Sequence, residues 1–116
     1  MDIFWISQNY HDLHDEFMGP VDIATFNKSV LDALKPGGRY IIIDHAALSG
    51  SPRNVTETLH RIEEAQVRKE VEAAGFSFDE RSSVLTANND PHTRSVFSRG
   101  LRYHTDRFVL KFIKPK

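Results

Sequence analysis

The segment Lys35 to Gly38, with the sequence Lys-Pro-Gly-Gly, constrains the fold most, because it separates a helical pattern from a strand pattern. Its proline presets a turn dihedral, and the following Gly37 can take the positive φ that a type II turn requires next. The unbroken run Tyr40 to Ile43 is typical of a strand that is covered on both faces, as in parallel sheets. Before the turn, apolar side chains recur along one face of an amphipathic helix at Ile23, Phe26, Val30, Leu31 and Leu34. The sequence therefore predicts a helix, a tight turn and a buried strand in succession.

Two more elements are predicted on either side of that unit. The run Ile3 to Ser7 is short, apolar and rich in β-branched and aromatic residues, which predicts a buried strand. Asn54 and Glu57 have the spacing of a capping box, so a long helix is predicted from Val55 to Ala74. Gly75 stands where a left-handed C-cap belongs, which ends that helix.

The last part of the chain is predicted to form two strands joined by a long connection. Apolar and aromatic residues indicate a strand near 76–85 and a final strand at 107–113. The polar connection at 86–106 is too long for a tight hairpin, and a short helix is predicted within it near 94–99. The order of strand, helix, strand, helix, strand, strand predicts an α/β fold. Right-handed crossovers would place both helices on the same side of a mostly parallel sheet.

Composition narrows the classes of function. The sequence has 116 residues, about the size of one domain, and 15 Lys and Arg against 16 Asp and Glu leave a net charge of -1. This balance of charges indicates neither a nucleic acid nor an acidic membrane surface as a partner. The lack of cysteine excludes disulfides, thiolate zinc sites and iron–sulfur clusters. No apolar run approaches the ~20 residues of a membrane span and no signal peptide is recognisable, so a soluble, cytoplasmic protein is expected.

Three sequence motifs fit one protein family together. They are the polar run after the first strand, the segment that ends the first helix and the segment that ends the second: Asn9 to Leu13, Leu34 to Tyr40, and Glu72 to Phe76. These motifs resemble class I S-adenosylmethionine-dependent methyltransferases, and bacterial predicted methyltransferases in particular. Members of that group carry His-Asp-Leu after strand four, Asp-His after strand five and a His-Arg-Ile-Glu helix. The same residue types stand here at 11–13, 44–45 and 60–63.

The resemblance implies a Rossmann-like half-domain. Its elements correspond to family strands four, five, six and seven, in the sheet order four, five, seven, six, with the last strand antiparallel and the helices mainly on one face. The family's N-terminal half, whose glycine-rich turn approaches the cofactor, has no counterpart, since the six glycines include no Gly-x-Gly. We therefore expect one truncated domain over 1–116 that is inactive or incomplete as a lone enzyme.

The resemblance also assigns roles in the loop after the first strand. Asn9 and Tyr10 would contact S-adenosylmethionine. His11 and Asp12 would be catalytic, because either side chain can take a proton from a small-molecule methyl acceptor. The alternative interpretation is a loop of solvated polar side chains, some of which cap a helix.

Three further residues are candidates for binding the substrate: His14, Asp44 and His45. The last two follow a strand at the sheet edge where ligands of open α/β sheets bind. Together with His11, Asp12 and Asp15, the three residues supply nitrogen and oxygen ligands that zinc, manganese or iron accepts. Their spacing matches no metal motif, so no metal is expected.

The missing half would leave apolar surface uncovered. The first strand would become an edge strand with free backbone groups, and one sheet face would lose its covering helices. We therefore expect a homodimer that pairs this strand edge or stacks the uncovered sheet face about a two-fold axis. Two alternatives are a non-catalytic homodimeric interaction module derived from a methyltransferase, and one half of a split enzyme.

Overall fold

The computed structural model describes residues 1–14, 22–48, 55–87, 90, 92, 95–97 and 105–116, without the side chains of 57 and 58. Within these residues the elements are β1 (Ile3–Ser7), a 3₁₀ helix (Tyr10–His14), α1 (Ile23–Ala33), β2 (Arg39–His45), α2 (Val55–Thr58), α3 (Glu64–Ala73), β3 (Ser77–Ser82) and β4 (Arg107–Ile113). The strands form one sheet in the order β1-β2-β4-β3. β1 pairs parallel with β2, and β4 runs antiparallel to both β2 and β3. The predicted α/β fold, its strand order and its antiparallel last strand are confirmed.

The helix and the turn before β2 form as the sequence predicts. The Asp22 carboxylate accepts backbone N–H groups of the first turn and so caps the start of α1. α1 ends at Ala33, and the turn closes where Gly38 N–H donates to the Lys35 carbonyl oxygen at 2.7 Å. Gly37 has a φ of 82°, the left-handed conformation that this turn requires.

The core lies between one face of the sheet and the helices α1 and α3. Buried apolar side chains from β2, β4 and these two helices belong to one cluster: Val30, Leu31, Leu34, Tyr40, Ile42, Val67, Val71, Phe108, Leu110 and Phe112. Every second residue of β2 and β4 contributes to this face, as the pleat of a sheet requires. Both helices therefore cover the same face, as predicted.

The opposite sheet face is less covered than the sequence indicates. Ile41 and Ile43 of β2 are only half-buried, so the prediction of a strand covered on both faces holds fully for one face alone. β1 is not the buried strand that was predicted, because Ile3 is 52% exposed and Trp5 is 65% exposed. Both side chains lie on the less covered sheet face, where Trp5 pairs with Ile41, and β1 has a neighbouring strand on one side alone in the described sheet.

The long helix predicted from 55 to 74 is instead two shorter helices. α2 ends at Thr58 and α3 begins at Glu64, and part of the chain between them runs beside the end of β2. There Ile62 forms a parallel bridge with Ala46, and the Ile62 N–H donates to the carbonyl oxygen of His45 at 3.0 Å. Pairing with the sheet replaces helical hydrogen bonds in this segment.

Other boundaries differ less from the predictions. Gly75 has a φ of 114°, which confirms the left-handed C-cap of the second predicted helix. β3 ends at Ser82, and Val84 lies in a turn with 77% of its surface exposed, so the strand predicted near 76–85 is too long. Asn54 and half of the helix predicted near 94–99 lie outside the described residues, and the described residues 95–97 include a turn and no helix. No helix in the described part of the chain is long and apolar enough to cross a membrane.

Candidate functional site

Polar side chains converge where β1 and β2 end. The 3₁₀ helix follows β1 closely, and β2 ends in Asp44 and His45. Since the two strands run parallel, their carboxyl ends lie at the same edge of the sheet. The segment between α2 and α3 adds His60, whose ring packs against that of His11. The structure thus brings together four predicted residues, His11, Asp12, Asp44 and His45, and one residue that was not predicted.

Asp44 orients the ring of His11. The Asp44 side chain is fully buried, and its Oδ1 lies 2.7 Å from His11 Nδ1. Asp44 Oδ2 accepts the backbone N–H of His11 at 2.7 Å, and Oδ1 also accepts the backbone N–H of His45 at 2.8 Å. A carboxylate that acts as the acceptor in these bonds indicates that His11 Nδ1 carries a proton, which leaves the lone pair of the neutral ring at Nε2. Asp44, predicted to bind substrate, therefore acts on His11 and presents no exposed surface.

The Nε2 atom of His11 belongs to a cluster with Asp12 and His60. It lies 3.2 Å from Asp12 Oδ1, and the rings of His60 and His11 stand edge to face with 5.8 Å between centroids. One ligand atom from each of the three residues lies within 4.8 Å of the other two. His11 is 3% exposed and the Asp12 side chain is 28% exposed, so Asp12 connects the cluster to solvent. The apolar pattern of the predicted helix did not identify His60 as a functional residue. The sequence signal that pointed to its segment was the His-Arg-Ile-Glu motif at 60–63.

His45 is a neutral ring at the same sheet edge. Its Nδ1 lies 2.6 Å from the Thr105 hydroxyl oxygen, and its centroid lies 6.0 Å from that of His11. Burial disfavours the charged imidazolium and lowers the pKa of His45 to about 4, although the charge of Asp44 acts in the opposite direction. At neutral pH, the His45 side chain can therefore form hydrogen bonds but carries no charge.

Tyr10 and His14 direct their side chains away from this cluster. Tyr10 is fully buried, and its hydroxyl donates to Glu70 Oε1 and accepts from Asn27 Nδ2, each at 3.0 Å. His14 Nε2 lies 2.9 Å from Glu70 Oε2. Burial would raise the pKa of Glu70, but the hydrogen bond and charge of His14 help to hold it below its ordinary value. Contrary to the predicted ligand contacts, these side chains anchor the 3₁₀ helix to α1 and α3.

Asn9 and Asp15 complete the predicted set. The Asn9 side chain is exposed, and the Asn9 carbonyl accepts the N–H of Asp12 at 3.1 Å, which closes the first turn of the 3₁₀ helix. Asp15 lies outside the described residues. With the Tyr10 side chain in the core, Asn9 is the one predicted cofactor contact with an exposed side chain, and the sequence holds no Gly-x-Gly. The residues that the structure describes therefore do not by themselves fit S-adenosylmethionine.

No protein-family model and no curated protein matches the sequence. Solved structures do match the fold. The N-methyltransferase NodS from Bradyrhizobium japonicum aligns with 99% of this chain and 51% of its own, at 14% identity and a TM-score of 0.60. A S-adenosylmethionine-dependent methyltransferase from Methanosarcina mazei aligns with 99% of this chain and 59% of its own, at 11% identity and a TM-score of 0.60.

These comparisons show a Rossmann-like methyltransferase fold. At such low sequence identity, the matches establish the fold but not the activity. The chain spans between half and three-fifths of the length of the solved methyltransferases it matches.

Proposed function

We propose that this chain forms the acceptor-binding part of an S-adenosylmethionine-dependent methyltransferase that acts on a small molecule. The observation that carries the proposal is the orientation of the His11 imidazole, which contacts Asp44 through Nδ1 and Asp12 through Nε2. This imidazole lies at the sheet edge where α/β folds bind ligands. The likeness to solved methyltransferases supports the class of reaction. The contacts to the cofactor are then made by polypeptide other than the residues of this chain.

The proposed role of these residues is proton removal. In methyl transfer, a lone pair of the acceptor forms a bond to the methyl carbon while the carbon–sulfur bond of the sulfonium breaks. An acceptor O–H or N–H must also lose a proton, and His11 Nε2 takes it. Asp44 holds the ring through Nδ1 and stabilises the resulting imidazolium, and Asp12, 3.2 Å from Nε2, adds a second negative charge.

The experiment uses a fusion that joins this chain to the part of the Methanosarcina mazei methyltransferase that the chain does not cover. Methyl transfer from labelled S-adenosylmethionine to a panel of small hydroxy and amino compounds is measured. Replacing His11 by alanine should lower turnover by about 10²–10⁴-fold, because a general base is lost. His92→Asn, outside the cluster, is the control and should keep the turnover of the unmodified fusion. A fusion that binds cofactor but transfers no methyl group, or transfers it equally well without His11, contradicts the proposal.

A second candidate function is a homodimeric interaction module, which the exposed strand β1 favours. Ile3 and Trp5 lie two residues apart on the same face of β1, and they are 52% and 65% exposed. An apolar strand at the edge of a sheet is a template for pairing with another chain. In a split enzyme, the same edge would receive the other half.

Replacing Trp5 by aspartate should convert the proposed dimer into a monomer, since a buried interface does not accept an unpaired charge. Light scattering measures the mass in solution. The matched control is Val84→Asp, because Val84 is 77% exposed in a turn outside the sheet. A wild-type protein that is already monomeric at tens of micromolar, or a dimer that survives Trp5→Asp, would rule out this interface.

A further inference from the structure

We infer that His11, Asp12 and His60 form a binding site for a first-row divalent cation of the zinc type. Each residue offers one ligand atom, and the three atoms lie within 4.8 Å of one another. The 3₁₀ helix supplies the first two residues, and the segment between α2 and α3 supplies the third. The spacing along the sequence does not reveal this set, because its members come from two separate parts of the chain.

The buried carboxylate of Asp44 completes the pattern of a metal-binding histidine. Histidine ligands almost always donate their other ring N–H to a carboxylate, a carbonyl or water, which fixes the tautomer and makes the ligand more basic. Asp44 Oδ1 lies 2.7 Å from His11 Nδ1 and has no exposed surface. His11 Nε2 is thereby the ring atom available to a metal, and it is the atom that faces Asp12.

The distance between the first two ligand atoms suits a small cation. His11 Nε2 and Asp12 Oδ1 are 3.2 Å apart. Two ligands at zinc distances in a tetrahedral arrangement lie about 3.3 Å apart. The same two atoms make an ion pair when His11 is protonated, so a proton and a cation compete for one nitrogen.

The third ligand is held in an unusual backbone conformation. His60 has a φ of 57°, a left-handed conformation that costs free energy for a residue with a side chain. Its ring packs against His11 at 5.8 Å and against Phe97 at 4.9 Å between centroids. These contacts keep the imidazole of His60 beside His11 Nε2 and Asp12.

The donor set selects the class of cation. Two imidazoles and one carboxylate suit zinc, cobalt, nickel and ferrous iron, whereas magnesium prefers oxygen ligands throughout. Three protein ligands leave coordination positions for a substrate or water, as in catalytic metal sites. With the cation bound, His11 Nε2 would be a metal ligand and not a proton acceptor, and the cation would lower the pKa of a bound acceptor instead. The site itself does not rest on the proposed methyl transfer, because cation binding is measured without cofactor or acceptor.

The test is a calorimetric titration of Zn²⁺ into the untagged chain after treatment with a chelator. We expect one ion per chain with micromolar or tighter affinity, and no binding of Mg²⁺ under the same conditions. His60→Asn removes the imidazole while keeping a residue that tolerates positive φ, and Asp12→Asn removes the carboxylate. Loss of a group that only supports a ligand weakens metal binding by about 10–100-fold. Each of these variants loses a ligand itself, so Zn²⁺ binding should weaken by at least that factor.

The control is His92→Asn, because His92 also has positive φ, at 66°, and pairs with Asp106 away from the cluster. It should bind Zn²⁺ with wild-type affinity. With Co²⁺ as the probe, the visible absorption band of the wild-type protein and of His92→Asn should be lost in both ligand variants, whose folding is checked by thermal melting. Absence of Zn²⁺ binding, or equal affinity in folded His60→Asn, Asp12→Asn and the control, would overturn the inference.

Discussion

Replacing Arg61 with methionine should lower the free energy of unfolding by about 3–5 kcal/mol, because it leaves a buried carboxylate without its cation. Arg61 and Asp90 have side chains with no exposed surface, and their two hydrogen bonds measure 2.6 and 2.7 Å. Arg61 also donates to the carbonyl oxygen of Ala46 at 2.9 Å, so it ties the end of β2 to a later part of the chain. Domains of this size are stable by about 5–15 kcal/mol in total. Urea denaturation followed by circular dichroism measures the loss.

The matched control is Arg81→Met. Arg81 pairs with Glu64 at 2.7 Å, but both side chains are more than a third exposed. An exposed ion pair contributes about 0–1 kcal/mol, so this variant should unfold near the wild-type midpoint. Similar losses in the two variants would show that the pair of Arg61 and Asp90 is not buried in solution.

The same ion pair predicts a dependence on acid. Burial would raise the pKa of Asp90, but the hydrogen bond from Arg61, together with backbone N–H groups, outweighs burial and holds it below its ordinary value. A carboxyl whose folded pKa is lowered stabilises the protein above its unfolded pKa of about 3.9, and that stabilisation is lost as pH falls through the folded value. The difference in stability between wild type and Arg61→Met should therefore shrink below about pH 4. A difference that stays constant there contradicts this origin.

Replacing Asn27 with leucine should cost about 2–4 kcal/mol, since two buried tyrosine hydroxyls each lose a partner. Asn27 is fully buried in α1, where Nδ2 donates to the Tyr10 hydroxyl and Oδ1 accepts from the Tyr40 hydroxyl, each at 3.0 Å. Tyr10 keeps its bond to Glu70, whereas the described contacts give Tyr40 no other acceptor. Chemical denaturation measures the change.

Ser29→Ala is the control for Asn27→Leu because it lies on the exposed side of the same helix, where the hydroxyl donates only to the Thr25 carbonyl at 3.0 Å. It should change the free energy of unfolding by less than about 0.5 kcal/mol. Equal effects of the two substitutions would mean that the buried hydrogen bonds of Asn27 do not stabilise the protein.

Local chemistry was sufficient to predict the turn at 35–38 and the strand that follows it, whereas the strand order was predicted from the family resemblance. Pro36 and Gly37 determine that turn regardless of its surroundings, and the short apolar run that begins at Tyr40 has the pattern of a buried strand. The second helix could not be predicted in the same way, because Val55, Leu59 and Ile62 keep helical spacing through the break. A tertiary bridge between Ile62 and Ala46 determines the outcome there.

The candidate site was predictable to a similar extent. That His11 and Asp12 would meet Asp44 and His45 follows from two parallel strands ending at one edge. That Tyr10 would turn inward depends on Asn27 and Glu70, which lie far from it in sequence. The contribution of His60 depends on the same helix break that the apolar pattern conceals.

The most direct measurement is a calorimetric titration of S-adenosylmethionine, and of its demethylated product, into this chain alone and into the fusion with the uncovered part of the Methanosarcina mazei enzyme. We expect no binding by the chain alone at millimolar cofactor and clear binding by the fusion, because this chain forms the acceptor side. Micromolar binding by the chain alone would contradict the proposal that other polypeptide makes the contacts to the cofactor. No binding by either protein would contradict a methyltransferase role and favour the interaction module.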